Sequence, residues 1–196
     1  MYPNYVSSEA VPASENLHFS QGFCNEEARD CGAMYPFTRN AVGAMDFGGS
    51  ALNKFYNANN RQGSRRITSD IYALATAVLF QSPVQHFALA PNNLSDAPGY
   101  AMEFMKSVPT QWDEVRYIDG YPGKYVILAR RSGNRWYIAG VNAMNQPLRH
   151  TLSLSMLKDK SVSLYINGEV KEVKLCRNNT LKIEIPTNGG VMVVGS

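Results

Sequence analysis

The chain has 196 residues, 44% of them hydrophobic and 18% charged, with 19 basic and 16 acidic side chains giving a formal net charge of +3. This composition supports a packed core and excludes a disordered or collagen-like chain. The basic residues are scattered, their tightest groups being pairs such as Arg65-Arg66 and Arg130-Arg131, so no nucleic-acid footprint is present; the longest apolar run, "IYALATAVLF", is about half the roughly 20 residues a membrane-spanning helix needs, so no membrane partner is expected.

The chain opens on "YPNYVSSEAVPASENLHF", where Glu9 and Glu15 stand six residues apart with no other charge between or around them. Two readings are open: surface carboxylates of a loop, or groups lining a pocket that needs an acid or a metal ligand. No basic region followed by an apolar core precedes them, so neither a signal peptide nor an anchor is expected in this chain. Cys24, Cys31 and Cys176 lack the CxxC spacing of a zinc site; Cys24 and Cys31 either pair or are small apolar residues. Up to residue 68 the apolar patches are short ("YPNYV", "MYPFTR", "AVGAMDF") and separated by Asn-, Gly- and Ser-rich stretches. Loops that long are uncommon in a compact domain unless they are functional or its other strands lie elsewhere. The patches read as ends of barrel strands with their loops, and the chain is expected to begin inside a domain.

From Ser69, "SDIYALATAVLFQSPVQHFAL" has a hydroxyl cap and an Asp in its first turn, and predicts a buried helix interrupted at Ser82-Pro83. A second helix follows Pro98, with Ala101, Phe104, Met105 and Val108 forming one apolar face. The period then changes. "KYVILARR", "NRWYIAGVN", "RHTLSLS", "SVSLYI", "EVKEVKL", "TLKIEI" and "VMVVG" are seven short runs rich in β-branched and aromatic residues, broken at turn signals such as Asn167-Gly168. They predict an antiparallel sandwich or barrel after a boundary near Pro109, with signals local enough for that half to fold by itself.

"YPN", the two Glu residues, "YPFTRNAVGAMDF", "FQSPVQHFA" and "VPTQWDEVRYIDGYPGKYVILARRSGNRWYIAGV" together resemble the C-terminal third of glycoside hydrolase family 97. That family comprises α-glucosidases and α-galactosidases built from a β-sandwich, a (β/α)8 barrel and a C-terminal β-domain. The resemblance implies an α/β plus all-β chain: residues 1–111 as the C-terminal portion of a (β/α)8 barrel catalytic domain, whose remainder is absent, and residues 112–196 as an antiparallel β-sandwich domain. It further implies Glu9 as a calcium ligand and Glu15 as the general acid of a glycoside hydrolase that cleaves α-glycosidic bonds of an oligosaccharide or other α-glycoside, α-glucosidase-like or else an α-galactosidase. The complete protein would be periplasmic or secreted. Glycoside hydrolysis needs two carboxyl groups flanking the scissile bond, and the nucleophile or base of this family comes from earlier barrel strands. The chain alone is therefore expected to be inactive. The sequence differs from the family pattern in having "AVPAS" where members carry a Gly-rich stretch, and "EEARDCGAMY" where they carry a His.

Other polar residues carry weaker signals. Asp46 follows a short apolar patch and is a candidate substrate contact, against a loop cap; Arg39 is a candidate for orienting a sugar hydroxyl, against a structural ion pair. Asp113-Glu114 are expected to pair with Arg116 or Arg131 at the domain junction. His18, His86 and His150 show no metal-ligand spacing, and Trp136 is expected in the core. The rival to an enzyme is a carbohydrate-binding or interaction β-sandwich module in which both opening Glu residues are incidental.

Overall fold

The computed structural model describes residues 7–13, 16, 20–49, 52, 55, 61–158, 161–175 and 177–195. Glu15, His18 and Cys176 lie outside the described residues. Among those described, no helix is long and apolar enough to cross a membrane.

The first half contains helix α1 (Gln21–Glu27), continued by a π-helical turn (Ala28–Gly32), a short helix α2 (Arg39–Val42), strand β1 (Phe47–Gly49), helix α3 (Asp70–Leu79), strand β2 (Gln85–Phe87) and helices α4 (Asn93–Asp96) and α5 (Gly99–Ser107). The sequence explains α3 in detail. The Ser69 hydroxyl accepts from the Tyr72 N–H at 3.1 Å, capping the first turn, and all nine residues from Ile71 to Leu79 are buried. A helix apolar on every side must be covered on every side. β1 pairs in parallel with β2, and an isolated parallel bridge joins Ser8 to Met45 just before β1. Three chain segments thus lie side by side in parallel, with helices in the connections.

The second half is antiparallel. A six-stranded sheet has the order β3-β4-β5-β10-β7-β8, formed by β3 (Glu114–Tyr121), β4 (Tyr125–Ser132), β5 (Arg135–Asn142), β10 (Gly190–Gly195), β7 (Ser161–Ile166) and β8 (Glu169–Lys174). A two-stranded sheet of β6 (Leu148–Ser153) and β9 (Thr180–Ile185) accompanies it. The seven runs read from the sequence correspond to β4 to β10. β3 is an eighth, an edge strand whose Glu, Arg and Asp residues hid its apolar alternation. The β7–β8 turn is Asn167-Gly168, with φ of 52° and 78°, the positive pair that a two-residue hairpin demands.

The six-stranded sheet separates two cores. Ile127, Ile138, Val162, Leu164, Val191 and Val193 face β6 and β9, packing with Leu152, Ile183 and Ile185 to form the sandwich interior. The alternate residues Val126, Leu128, Tyr137, Ala139, Val141 and Met192 join Leu74, Val78, Phe80 and Phe104 on the helical side. Strands β4, β5 and β10 are therefore apolar on both faces. The change of element type near Pro109 does not interrupt the core: Gly190 approaches so closely that a Cβ there would stand 2.6 Å from the Tyr72 backbone.

Candidate active site

In a parallel strand, alternate side chains face opposite ways. Met45 and Phe47 are buried in the helix-side core, so Asp46, just before β1, faces away from it. His86 is the register partner of Gly48, two residues beyond Asp46, and shares that face. The two side chains meet: His86 Nε2 lies 3.1 Å from Asp46 Oδ1, with both partly exposed. Sequence reading singled out Asp46 but passed over His86. No local pattern marks it: β2 is three residues long, and only its place in the fold puts His86 on the face opposite Phe87, itself packed on the core.

Arg39 sits on α2, at the end of the strands where β1 begins. Its Nη2 donates to the Ser8 and Ala44 carbonyls at 2.7 and 3.0 Å and to Ser8 Oγ at 3.0 Å, and its Nη1 donates to the Gly43 carbonyl at 3.1 Å. The guanidinium ties the first strand segment to the approach of β1. The geometry gives Arg39 a positioning role, with carbonyls in place of the carboxylate partner of an ion pair.

Glu9 follows Ser8 directly, is exposed, and is not ion-paired among the described residues. Ala10 beside it has φ of 46°, a left-handed backbone that costs a residue bearing a Cβ roughly 1–2 kcal/mol. Such strain clusters at functional loops. As a calcium ligand, Glu9 has the right chemistry, a hard carboxylate oxygen, but the ion takes 6–8 oxygens. Among the described residues no group of three or more His, Cys, Asp or Glu stands ready for a metal. Glu9 has the donor chemistry for one such position, and the described residues around it supply no ligand set.

At the N-terminus of α3, a cleft of about 400 Å³ opens between Arg66, Thr68, Asp70, Asp96 and Pro98. Arg66 is buried and pairs with Asp70, while Thr68 Oγ1 donates to Glu27 at 2.9 Å. Desolvation raises the Glu27 carboxyl pKa, against the lowering effect of Arg66 and the Thr68 hydroxyl. Cys24 and Cys31 are buried thiols, not a disulfide, and burial pushes the Cys24 pKa up to about 11. It is not poised as a nucleophile.

The other tempting carboxylates are structural. Arg131 contacts Asp113 Oδ2 and Glu114 Oε2, both at 3.3 Å, and Arg116 Nε lies 2.7 Å from Glu114 Oε1. Hydrogen bonds from these arginines hold the Glu114 pKa below its ordinary value. Trp136 is buried, with the Arg116 guanidinium 4.6 Å from its ring centre. His150 faces Asp119 at 3.4 Å on the sandwich side.

Residues 111–194 match the family model described as glycosyl-hydrolase 97 C-terminal, oligomerisation. Over 209 aligned residues, covering 96% of this chain and 30% of the relative, the chain is 31% identical to a retaining α-galactosidase of Bacteroides thetaiotaomicron. A solved β-arabinopyranosidase superposes with a TM-score of 0.94 at 54% identity, over 99% of this chain and 32% of that one. A family 97 enzyme from Pseudoalteromonas sp. strain K8, solved in complex with acarbose, gives a TM-score of 0.77 at 25% identity, over 100% of this chain and 32% of that one. The chain thus spans about a third of the length of these relatives.

Proposed function

Because the chain belongs to glycoside hydrolase family 97 and carries its C-terminal domain, we propose that the complete enzyme is a retaining glycosidase for galacto-configured substrates, cleaving α-galactosides or β-L-arabinopyranosides. The observation that carries this reading is the 54% identity, over nearly the whole chain, to a β-arabinopyranosidase. The α-galactosidase relative supports it through carbohydrate stereochemistry. A β-L-arabinopyranoside has the ring configuration of an α-D-galactopyranoside and lacks only the C6 hydroxymethyl group, so one pocket built around the axial 4-hydroxyl serves both. An α-glucoside, with that hydroxyl equatorial, is disfavoured, and the wider α-glucosidase expectation narrows accordingly.

In this reading Glu15 is the general acid. Its carboxyl proton passes to the glycosidic oxygen as the bond to the anomeric carbon breaks, while a carboxylate from barrel strands outside this chain attacks the opposite face. Water, deprotonated by Glu15 acting as base, then releases the sugar with retained configuration. Glu9 would supply one carboxylate oxygen to a calcium ion, which when bound would offer positive charge to sugar oxygens. Asp46 orients substrate hydroxyls from the inner face of β1, held by His86. Arg39 fixes the strands that carry Glu9 and Asp46.

The test is hydrolysis of aryl α-galactoside, β-L-arabinopyranoside and α-glucoside by the enzyme expressed with its complete barrel. Turnover of the first two with little of the third is expected. Preference for the glucoside overturns the galacto assignment, and failure on all three returns the chain to the binding-module reading.

A further inference from the structure

We propose that Arg130, on strand β4 of the C-terminal domain, is a positioning residue for the Asp46–His86 pair and acts on it through the end of α3. This role rests on the reading of that pair as a substrate contact. It gives the β-sandwich domain a part in the chemistry of the preceding half.

Arg130 is a cation in an apolar setting. Along β4 the side chains alternate, and Arg130 follows Val126 and Leu128 onto the helical side of the sheet, where it is 5% exposed. Its Nη2 donates to the Leu79 carbonyl at 3.2 Å, and its Nε is buried without a hydrogen-bond partner among the described residues. Burial pushes its pKa down to about 10, and no carboxylate among the described residues offsets that. The Trp112 ring lies 5.8 Å from the guanidinium and stands edge-on to Tyr137. Its neighbour Arg131, by contrast, is paired with Asp113 and Glu114. A charge held in a core without a counter-charge costs stability, and an apolar side chain of similar size often packs there as well or better. Filling the core does not explain an arginine at this position.

What the guanidinium holds does explain it. Leu79 is the last residue of α3, where carbonyls lack partners within the helix and the helix dipole favours a cation. The chain then leaves the helix toward β2, and His86 is carried on that exit segment. Gln81, also on the exit, accepts from the Met45 N–H at 2.9 Å, and its own N–H donates to Asn40 Oδ1 at 3.1 Å. Asp46 follows Met45 directly, and its N–H donates to the Ser8 carbonyl at 3.0 Å. Both members of the pair therefore depend on where α3 ends: His86 by chain continuity, Asp46 through the Gln81 carbonyl. Arg39 steadies Asp46 from the Ser8 side, and Arg130 steadies the pair from the other. A misplacement of about 1 Å at a substrate-orienting group can cost up to about 10²-fold in rate.

The test is a double-mutant cycle in the complete enzyme, read as kcat/KM on whichever aryl glycoside it hydrolyses, with melting temperatures alongside. Arg130→Met is expected to lower kcat/KM by about 10-fold to 10²-fold with the melting temperature unchanged or raised, and Arg130→Lys to recover part of the loss. In an Asp46→Asn background, Arg130→Met is expected to change kcat/KM by less than about twofold, as coupled residues do. Losses that multiply in the double variant, an Arg130→Met enzyme as active as wild type, or a loss of activity matched by a lower melting temperature each overturn the role. Should Arg130→Met fail to fold, the cycle is run with Arg130→Lys, for which a smaller loss that again vanishes beside Asp46→Asn is expected. An Asp46→Asn enzyme with full activity removes the pair from substrate binding, and amide exchange in the 196-residue chain then decides whether Arg130 holds the pair. Met45 N–H exchange at least about 10-fold faster in the Arg130 variant, with β7 unchanged, supports the hold through Gln81; equal rates at Met45 overturn it.

Discussion

Asp46, just before β1, and His86 of the parallel strand β2 meet at 3.1 Å on the face turned away from the helix-side core. A partly exposed pair of this kind contributes little to stability, on the order of 0–1 kcal/mol. If its task is to orient substrate, activity and stability respond differently. In the complete enzyme, Asp46→Asn and His86→Ala are expected to lower kcat/KM on a galacto-configured aryl glycoside by up to about 10²-fold while leaving the melting temperature nearly unchanged. Equal activity in variant and wild type assigns the pair to structure alone.

Glu9 and Glu15 separate by leaving group. Glu15→Gln removes the proton that a poor leaving group requires, and general acid assistance is worth about 10²–10⁴-fold. Natural glycosides should suffer by that factor and aryl glycosides with acidic phenols far less. Glu9→Gln should depress both substrates together and be partly rescued by added calcium. Steady-state kinetics of each variant on each substrate check the pair of roles; a Glu15→Gln that slows both substrates equally removes it as the general acid.

The contact of Gly190 with α3 makes a stability prediction for this chain. A Cβ at residue 190 meets the Tyr72 backbone at 2.6 Å, whereas one at Gly99 meets nothing within 4 Å. Gly190→Ala must push the helix from the sheet and is expected to cost about 1–3 kcal/mol, the usual range for overpacking. Gly99→Ala is expected to stay within about 1 kcal/mol of wild type. Denaturant unfolding of both variants compares them directly. Residues 112–196 produced alone would also expose Val126, Tyr137 and Met192 to water, so a fragment markedly less stable than the chain is expected, contrary to the self-sufficiency that the local strand signals suggest.

Where burial and local chemistry agreed, the sequence was readable. Ser69 capping α3, the apolar face of α5 and the Asn167-Gly168 turn are local signals, and the folded chain uses each of them. β3 was not readable as a strand because it lies at the sheet edge with no fully buried residue, so its alternation is diluted by Arg116, Asp119 and Gly120. His86 was hidden because a three-residue strand is too short to show a period. Whether Asp46 and His86 meet depends on a parallel register between segments about 40 residues apart, which no local pattern encodes. Ala10 is the converse case. The family pattern puts glycine-rich sequence in this stretch, and here an alanine adopts the left-handed backbone that glycine accepts without penalty.

Glu27 gives the chain a pH dependence whose sign follows from its surroundings. Desolvation raises its pKa above the ordinary carboxylate value, with Arg66 and the Thr68 hydroxyl opposing. Folding therefore favours the protonated form. The stability it contributes is complete below the unfolded pKa and is lost as pH rises through the folded one, the reverse of a salt-bridged carboxylate such as Glu114, whose pKa is lowered. Glu27→Gln keeps a carbonyl oxygen to accept from Thr68 and removes the charge. Arg66 retains Asp70 as a partner. The variant is expected to melt higher than wild type at about pH 8 and to differ less at about pH 5, so that the two profiles converge toward acid. Melting curves across that range decide it: parallel profiles, or a variant less stable at the alkaline end, would mean that the Glu27 charge is compensated by Arg66 and that burial does not govern its titration.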